Sequence, residues 1–158
     1  MSVNTKKVEG RRTVRYESFD DLLADAERVA TGEHTTIGNW NVGQILAHIA
    51  KALHLSIDGI DISVPAPVRW LASKLFKRRF LTKPLIAGFK FPEQLKPQLE
   101  FPVDTAPQAA LVELREAVAR VRRETRRAAN PMLGEMTPDE SDAFQLRHAE
   151  MHMSFIVN

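Results

Sequence analysis

The sequence predicts an all-α fold: an up-down four-helix bundle with a long, partly helical connection between helices two and three, in one domain over residues 1–158. Three observations lead there. Four segments carry apolar residues three and four apart, each has capping chemistry that agrees with its period, and no segment alternates in the manner of a half-buried strand. The 158 residues, 44% hydrophobic, include no Cys. A chain of that length buries roughly two-thirds of its unfolded surface. It needs no disulfide or metal to fold, so a bound metal would serve function.

The first helix begins at Ser18, an N-cap followed by Asp20 and Asp21 at the positive end of the helix dipole, and Gly32 stops it. Phe19, Leu22, Leu23, Ala26, Val29 and Ala30 form its apolar stripe. The second runs from about Asn41 to about Gly59, with Val42, Ile45, Leu46, Ile49, Leu53 and Ile57 on one side. The third opens after Thr105 with Pro107 in its first turn, carries Leu111, Leu114, Val118 and Val121 as a seam, and is expected to end near Asn130 and Pro131. The fourth starts at Thr137, with Pro138 at the first helical position and Glu140 closing a capping box. It is expected to run to the C-terminus through Phe144, His148, Met151, His152 and Phe155. The connection between the second and third helices exceeds forty residues, too long for a bare loop. Pro67 to Phe80 reads as a short amphipathic helix, and the rest, with Pro84, Gly88, Pro92, Pro97 and Pro102, as extended and turn-rich.

Charge narrows the function classes. Twenty-two Lys and Arg against twenty Asp and Glu give +2, which argues against a nucleic-acid binder with a large cationic field. The arginines of the third helix (Arg115, Arg120, Arg122, Arg123, Arg126, Arg127) are mixed with Glu113, Glu116 and Glu124, a solvated face with local ion pairs. Met1 to Arg15 is polar and basic without the apolar run of a signal peptide. No stretch reaches the ~20 apolar residues of a membrane span. A cytoplasmic, soluble protein is the expectation.

Without cysteine, thiolate zinc sites, iron–sulfur clusters and a Cys nucleophile are excluded, and histidine becomes the main metal-ligating residue. His148 and His152 stand four apart, so a helix places both on one face. Glu150 lies two residues on from His148 and projects to nearly the opposite side, which departs from the zincin motif. Phe144, Met151 and Phe155 share the histidine face and turn it to the bundle interior, where unpartnered imidazoles cost free energy. His48, flanked by Ile45, Ile49 and Ala52, completes a three-nitrogen site if the second and fourth helices are neighbours. Three protein ligands are the catalytic number for zinc, and imidazole also suits nickel, iron and copper. The alternative, a satisfied histidine pair without metal, stays open at this point. His34 and His54 fall outside the constellation as surface or supporting groups. Gln44, one turn before His48, either orients a ligand or is a solvated glutamine. Trp40 packs over the bundle end or stacks on a ligand.

Two stretches, Gly38-Asn39-Trp40-Asn41-Val42-Gly43-Gln44-Ile45-Leu46-Ala47-His48-Ile49-Ala50 and Leu146-Arg147-His148-Ala149-Glu150-Met151-His152-Met153-Ser154-Phe155, resemble the signature helices of the DinB/YfiT-like superfamily. Arg11-Arg12 through Tyr16-Glu17-Ser18, Asp58-Gly59 and Gly88-Phe89-Lys90-Phe91-Pro92 resemble, more narrowly, one bacterial subgroup of it, so the likeness covers nearly the whole chain. It implies a four-helix bundle that binds one divalent metal (Zn, Ni or Fe) through His48, His148 and His152. Characterised members include thiol S-transferases and thiol-dependent isomerases, so the resemblance also implies a low-molecular-weight thiol cofactor, a small-molecule substrate and a dimer as one assembly. A metal-dependent transferase or hydrolase is the first reading. In the stretch after His152, where many relatives carry a glutamine, this chain has Ser154 and Asn158. Ser154 is the residue there that could meet a substrate.

Val68 to Lys90 holds seven cations (Arg69, Lys74, Lys77, Arg78, Arg79, Lys83, Lys90) and no acid, interleaved with Trp70, Phe76, Phe80 and Phe89. The reading favoured is a helix that packs its aromatics on the bundle and solvates its cations. A separate hypothesis has the connection cover the mouth of the metal site, with Arg78 and Arg79 attracting an anionic ligand there. A module that meets a membrane surface or a partner through residues 68–90 is one rival, although membrane contact is not the expectation. A non-catalytic metal-binding or stress-response protein is the other.

Overall fold

The computed structural model describes residues 2–62, 64–89 and 93–157. The chain is mostly helical: α1 (Phe19–Thr31), α2 (Val42–Asp58), α3 (Ala66–Thr82), α4 (Lys96–Leu99), α5 (Pro107–Arg123) and α6 (Pro138–Met153). Three helix starts are fixed by reciprocal capping boxes, of which the sequence predicts the one at Thr137 and, at Ser18, the N-cap alone. Ser18 with Asp21, Asn41 with Gln44, and Thr137 with Glu140 each exchange side chain and backbone bonds, which satisfies donors no helix can pair internally. Gly59, at φ +85°, closes α2 in a conformation that favours glycine.

The core lies where α2 packs on α5, with α1 laid against α5 and α6 against α2. Leu22, Leu46, Ile49, Leu53, Leu114 and Met153 are fully buried within it. Gly43 permits the closest approach. A Cβ there would stand 1.9 Å from the carbonyl oxygen of Thr105, just ahead of α5.

Several boundaries differ from the sequence reading. The third long helix stops at Arg123 rather than near Asn130. Arg127 turns back beneath that end, where its guanidinium donates to the carbonyls of Val121 (3.1 Å) and Glu124 (2.5 Å) and pairs with Asp142 at 2.9 Å. Far from lying on a solvated face, the Arg127 side chain is 3% exposed. Arg120 does form the local ion pair expected of that cluster, with Glu124, and also pairs with Asp58 on α2.

The last helix does not continue to the C-terminus. After Met153 the chain turns into β2 (Ile156–Val157), which pairs antiparallel with β1 (Thr35–Thr36). Arg11 and Arg12 close the helix end. Arg11 Nη2 donates to the Met151 carbonyl at 3.2 Å and Arg12 Nε to that of Met153, also at 3.2 Å, so two cations sit at the negative pole of α6.

In the long connection α3 spans 17 residues, and a 3-10 turn at Glu93–Leu95 leads into α4 where extended chain was expected. Lys90, Phe91, Pro92 and Asn158 lie outside the described residues. The aromatics of α3 do not pack down as the sequence suggested. None of the helix's residues is buried, and Trp70 is 63% exposed, because α3 meets α6 along one narrow side only. Among the described residues no helix is long and apolar enough to cross a membrane.

Candidate metal centre

Helices α2 and α6 are neighbours, and they bring together the three histidines the sequence singled out. The ligating nitrogens of His48, His148 and His152 all lie within 4.8 Å of one another. His148 is the hub: its Nε2 stands 3.0 Å from Nε2 of His152 and 3.4 Å from Nε2 of His48. One helical turn separates the two α6 residues, which sets their rings edge to face with centroids 4.7 Å apart.

The tautomer of His48 follows from its surroundings. Its Nδ1 lies 2.8 Å from the carbonyl oxygen of Leu99, which can only accept, so Nδ1 carries the proton and Nε2 keeps its lone pair. Leu99 ends α4 and is buried. That short helix is the element the sequence reading missed, although Leu95 and Leu99, four apart around Pro97, carried its signal. Trp40 forms the wall on one side, stacked on His152 with centroids 5.4 Å apart and planes 10° from parallel, and tilted over His48 at 4.8 Å. Phe144 stacks on His148 at 6.5 Å.

Burial makes all three imidazoles resist protonation. His48 is pulled down to about 4 by desolvation, against the opposing pull of the Leu99 carbonyl, and His148 to about 3 by desolvation and then by the nearby His48. His152 is lowered well below the ordinary value by desolvation, with the charges of His48, His148 and Arg11 adding to it. These residues fit a cation. Three neutral rings facing nitrogen to nitrogen cannot all satisfy one another, whereas one ion at their centre satisfies every lone pair. Zn–N bonds of 2.0–2.1 Å place tetrahedral ligands about 3.3 Å apart, in the range of the 3.0 and 3.4 Å separations here.

The other candidate residues divide. Ser154 accepts from Arg11 Nε at 2.9 Å and donates to the Met151 carbonyl. Arg11 is the residue missed beside the centre: it lies over the Phe155 ring at 4.3 Å, its charge reaches His152, and among the described residues no carboxylate pairs with it. Arg11, Glu150, Met151 and Ser154 line a cavity of about 230 Å³ at the end of α6. Gln44 is not brought into the cluster. Its Oε1 accepts from Asn41 N at 3.0 Å and its Nε2 donates to Phe101 O at 2.6 Å, so its amide ties the start of α2 to the chain leaving α4. Arg78 and Arg79 stand on α3, where Arg79 reaches the Pro84 carbonyl and Arg78 lines a shallow depression with Lys74, Lys77 and Glu140. His34 contacts the Arg28 carbonyl and His54 contacts Arg120, both away from the centre.

Glu150 faces away from the histidines, as its spacing predicts. Its Oε1 accepts from the backbone N–H of Tyr16 at 2.7 Å and pairs with Arg147 at 2.7 Å, both side chains fully inside the protein. Arg147 in turn donates to the Tyr16 carbonyl. This two-way bond clamps the N-terminal segment to the back of α6.

Acid should loosen the metal-free protein. Above pH 6.5 the imidazoles are neutral in both the folded and the unfolded chain. As the pH falls from there toward 4, the unfolded chain takes up protons that the buried rings refuse, so stability is lost across that window, on the order of 3 kcal/mol from His48 alone. Urea titrations of chelator-treated protein at pH 7 and pH 4.5 measure this loss.

No curated protein and no solved structure matches the chain. A family profile does, over residues 8–158, a range that takes in the N-terminal clamp, both histidine-bearing helices and β2. The chain belongs to the family described as Protein of unknown function (DUF1569).

Proposed function

We propose that this protein holds one divalent metal ion, Zn, Ni or Fe, on His48, His148 and His152, in a DinB-like four-helix bundle, and works as a metal-dependent enzyme of the thiol S-transferase or hydrolase type. The single observation that carries the reading is the convergence of three Nε2 atoms from α2 and α6, one with its tautomer already set by the Leu99 carbonyl. Three nitrogens match the protein ligand number of catalytic rather than structural zinc sites. When bound, the ion supplies a Lewis acid that lowers the pKa of a thiol or water at neutral pH.

The chain's own residues do the rest. Trp40 and Phe144 exclude water from two sides of the imidazoles, which strengthens any charge interaction made there. Arg11, a guanidinium without a carboxylate partner among the described residues, favours an anionic group on a small molecule in the cavity it lines. Since the chain has no cysteine, a thiol must arrive as a separate low-molecular-weight molecule. Elemental analysis of protein purified without a histidine tag should find about one equivalent of metal; metal-free protein that also takes up none of the three ions would overturn the reading. Cobalt-loaded protein tests the transferase reading. A sulfur-to-cobalt charge-transfer band on adding a small thiol supports it, and an unchanged spectrum leaves the hydrolase and the non-catalytic readings.

A further inference from the structure

Residues 62–92 carry seven Lys and Arg and no Asp or Glu; the rest of the chain has fifteen against twenty, a net of −5. The protein is therefore strongly polarised beneath its overall +2. On α3 the half-buried positions Ala72, Ser73, Lys77 and Phe80 make the side that meets α6, where Lys77 pairs with Glu140 at 2.7 Å. The opposite side repeats at three and four: Pro67, Leu71, Lys74, Leu75 and Arg78 are all exposed. Leu71 and Leu75 are 51% and 62% exposed, with Trp70 beside them and Ile86, in the loop that follows, at 73%. Arg69, Lys74, Arg78, Arg79 and Lys83 form no ion pair among the described residues.

We infer that α3 and the loop after it dock on an anionic membrane surface. Large apolar side chains left in water mark a surface that meets something. Protein interfaces keep charge, lysine above all, out of their apolar centre, whereas Lys74 and Arg78 here lie between Leu71 and Leu75 and beyond them. A headgroup boundary offers both media at once: phosphates for the cations and acyl chains for the leucines, with Trp at the level between. The partner matched to Arg78 and Arg79 is then a lipid phosphate.

The experiment is co-sedimentation of the full chain with vesicles of phosphatidylcholine alone and with one third phosphatidylglycerol. Binding is expected only to the anionic vesicles, falling steeply in half-molar salt, together with a blue shift of tryptophan emission that Trp70→Phe abolishes. The double variant Lys74→Glu, Arg78→Glu should weaken binding by about 30-fold or more, at roughly fivefold per cation lost. Leu71→Ser with Leu75→Ser keeps every charge and should also weaken it, and unchanged urea midpoints show that both variants fold. Millimolar inorganic phosphate should not displace the vesicles. The inference fails if the anionic vesicles leave the protein in solution, if the charge variant binds equally well, or if sedimentation shows Trp70 covered by a second copy instead. His148→Ala should bind vesicles normally, so this result and the metal result stand or fall separately.

Discussion

His148→Ala should lower zinc affinity by more than 100-fold and leave protein purified without a tag free of metal, measured by competition with a chromophoric chelator and by elemental analysis. Loss of a mere supporting partner of a metal ligand costs 10–100-fold, and here a ligand itself is removed. His148 is also the ring whose Nε2 lies within 3.4 Å of both others. Without it, His48 on α2 and His152 on α6 remain as two donors, too few to complete a zinc site from protein groups. His54→Ala is the matched control. That ring contacts Arg120 on the far side of α2, and its loss should leave affinity unchanged.

Glu150→Ala should destabilise the fold by about 3–5 kcal/mol, the usual cost of stripping one partner from a buried ion pair. The Arg147 guanidinium would remain inside the protein with its counter-charge gone, and the Tyr16 backbone N–H would lose its acceptor. Glu150→Gln keeps an acceptor for Tyr16 and should lose less. For a chain of this size each kcal/mol shifts Tm by about 2–4 °C, so the alanine variant should melt roughly 6–20 °C below the parent. Calorimetry on metal-free protein measures this without interference from the ion.

What the sequence made legible was local. Ser18, Asn41, Gly59 and Thr137 announce helix ends because a cap is a contact between residues three or four apart, and His148 with His152 is a contact of the same range. That His48 joins them was conditional on α2 and α6 being neighbours, which they are. The parts that were not legible depend on distant chain. A strand of two residues, such as Ile156–Val157, is too short to show alternation. Arg127 and Arg147 look in sequence like any solvated arginine, and only the carbonyls and carboxylates that tertiary packing carries to them explain their burial. The early stop of α5 has the same origin, since the group that satisfies its last carbonyls lies beyond the helix itself. The exposure of α3 is the converse case. Its pattern called for a covering surface that the rest of the chain does not provide.

The Leu99 carbonyl bears on the order of events. His48 and His148 are 100 residues apart, and the acceptor that sets the His48 tautomer lies between them, 51 residues after His48. An unfolded chain offers an ion only the pair on α6, and closing so long a loop carries an entropic cost that two imidazoles do little to offset. On the proposed reading, the ion arrives last, at a cage already built by hydrophobic packing. A metal captured late is selected by the spacing and rigidity of finished walls rather than by the ranking of affinities a flexible peptide would follow. On that reading, discrimination among zinc, nickel and iron resides in how firmly α4, Trp40 and the arginine-capped end of α6 hold three rings still.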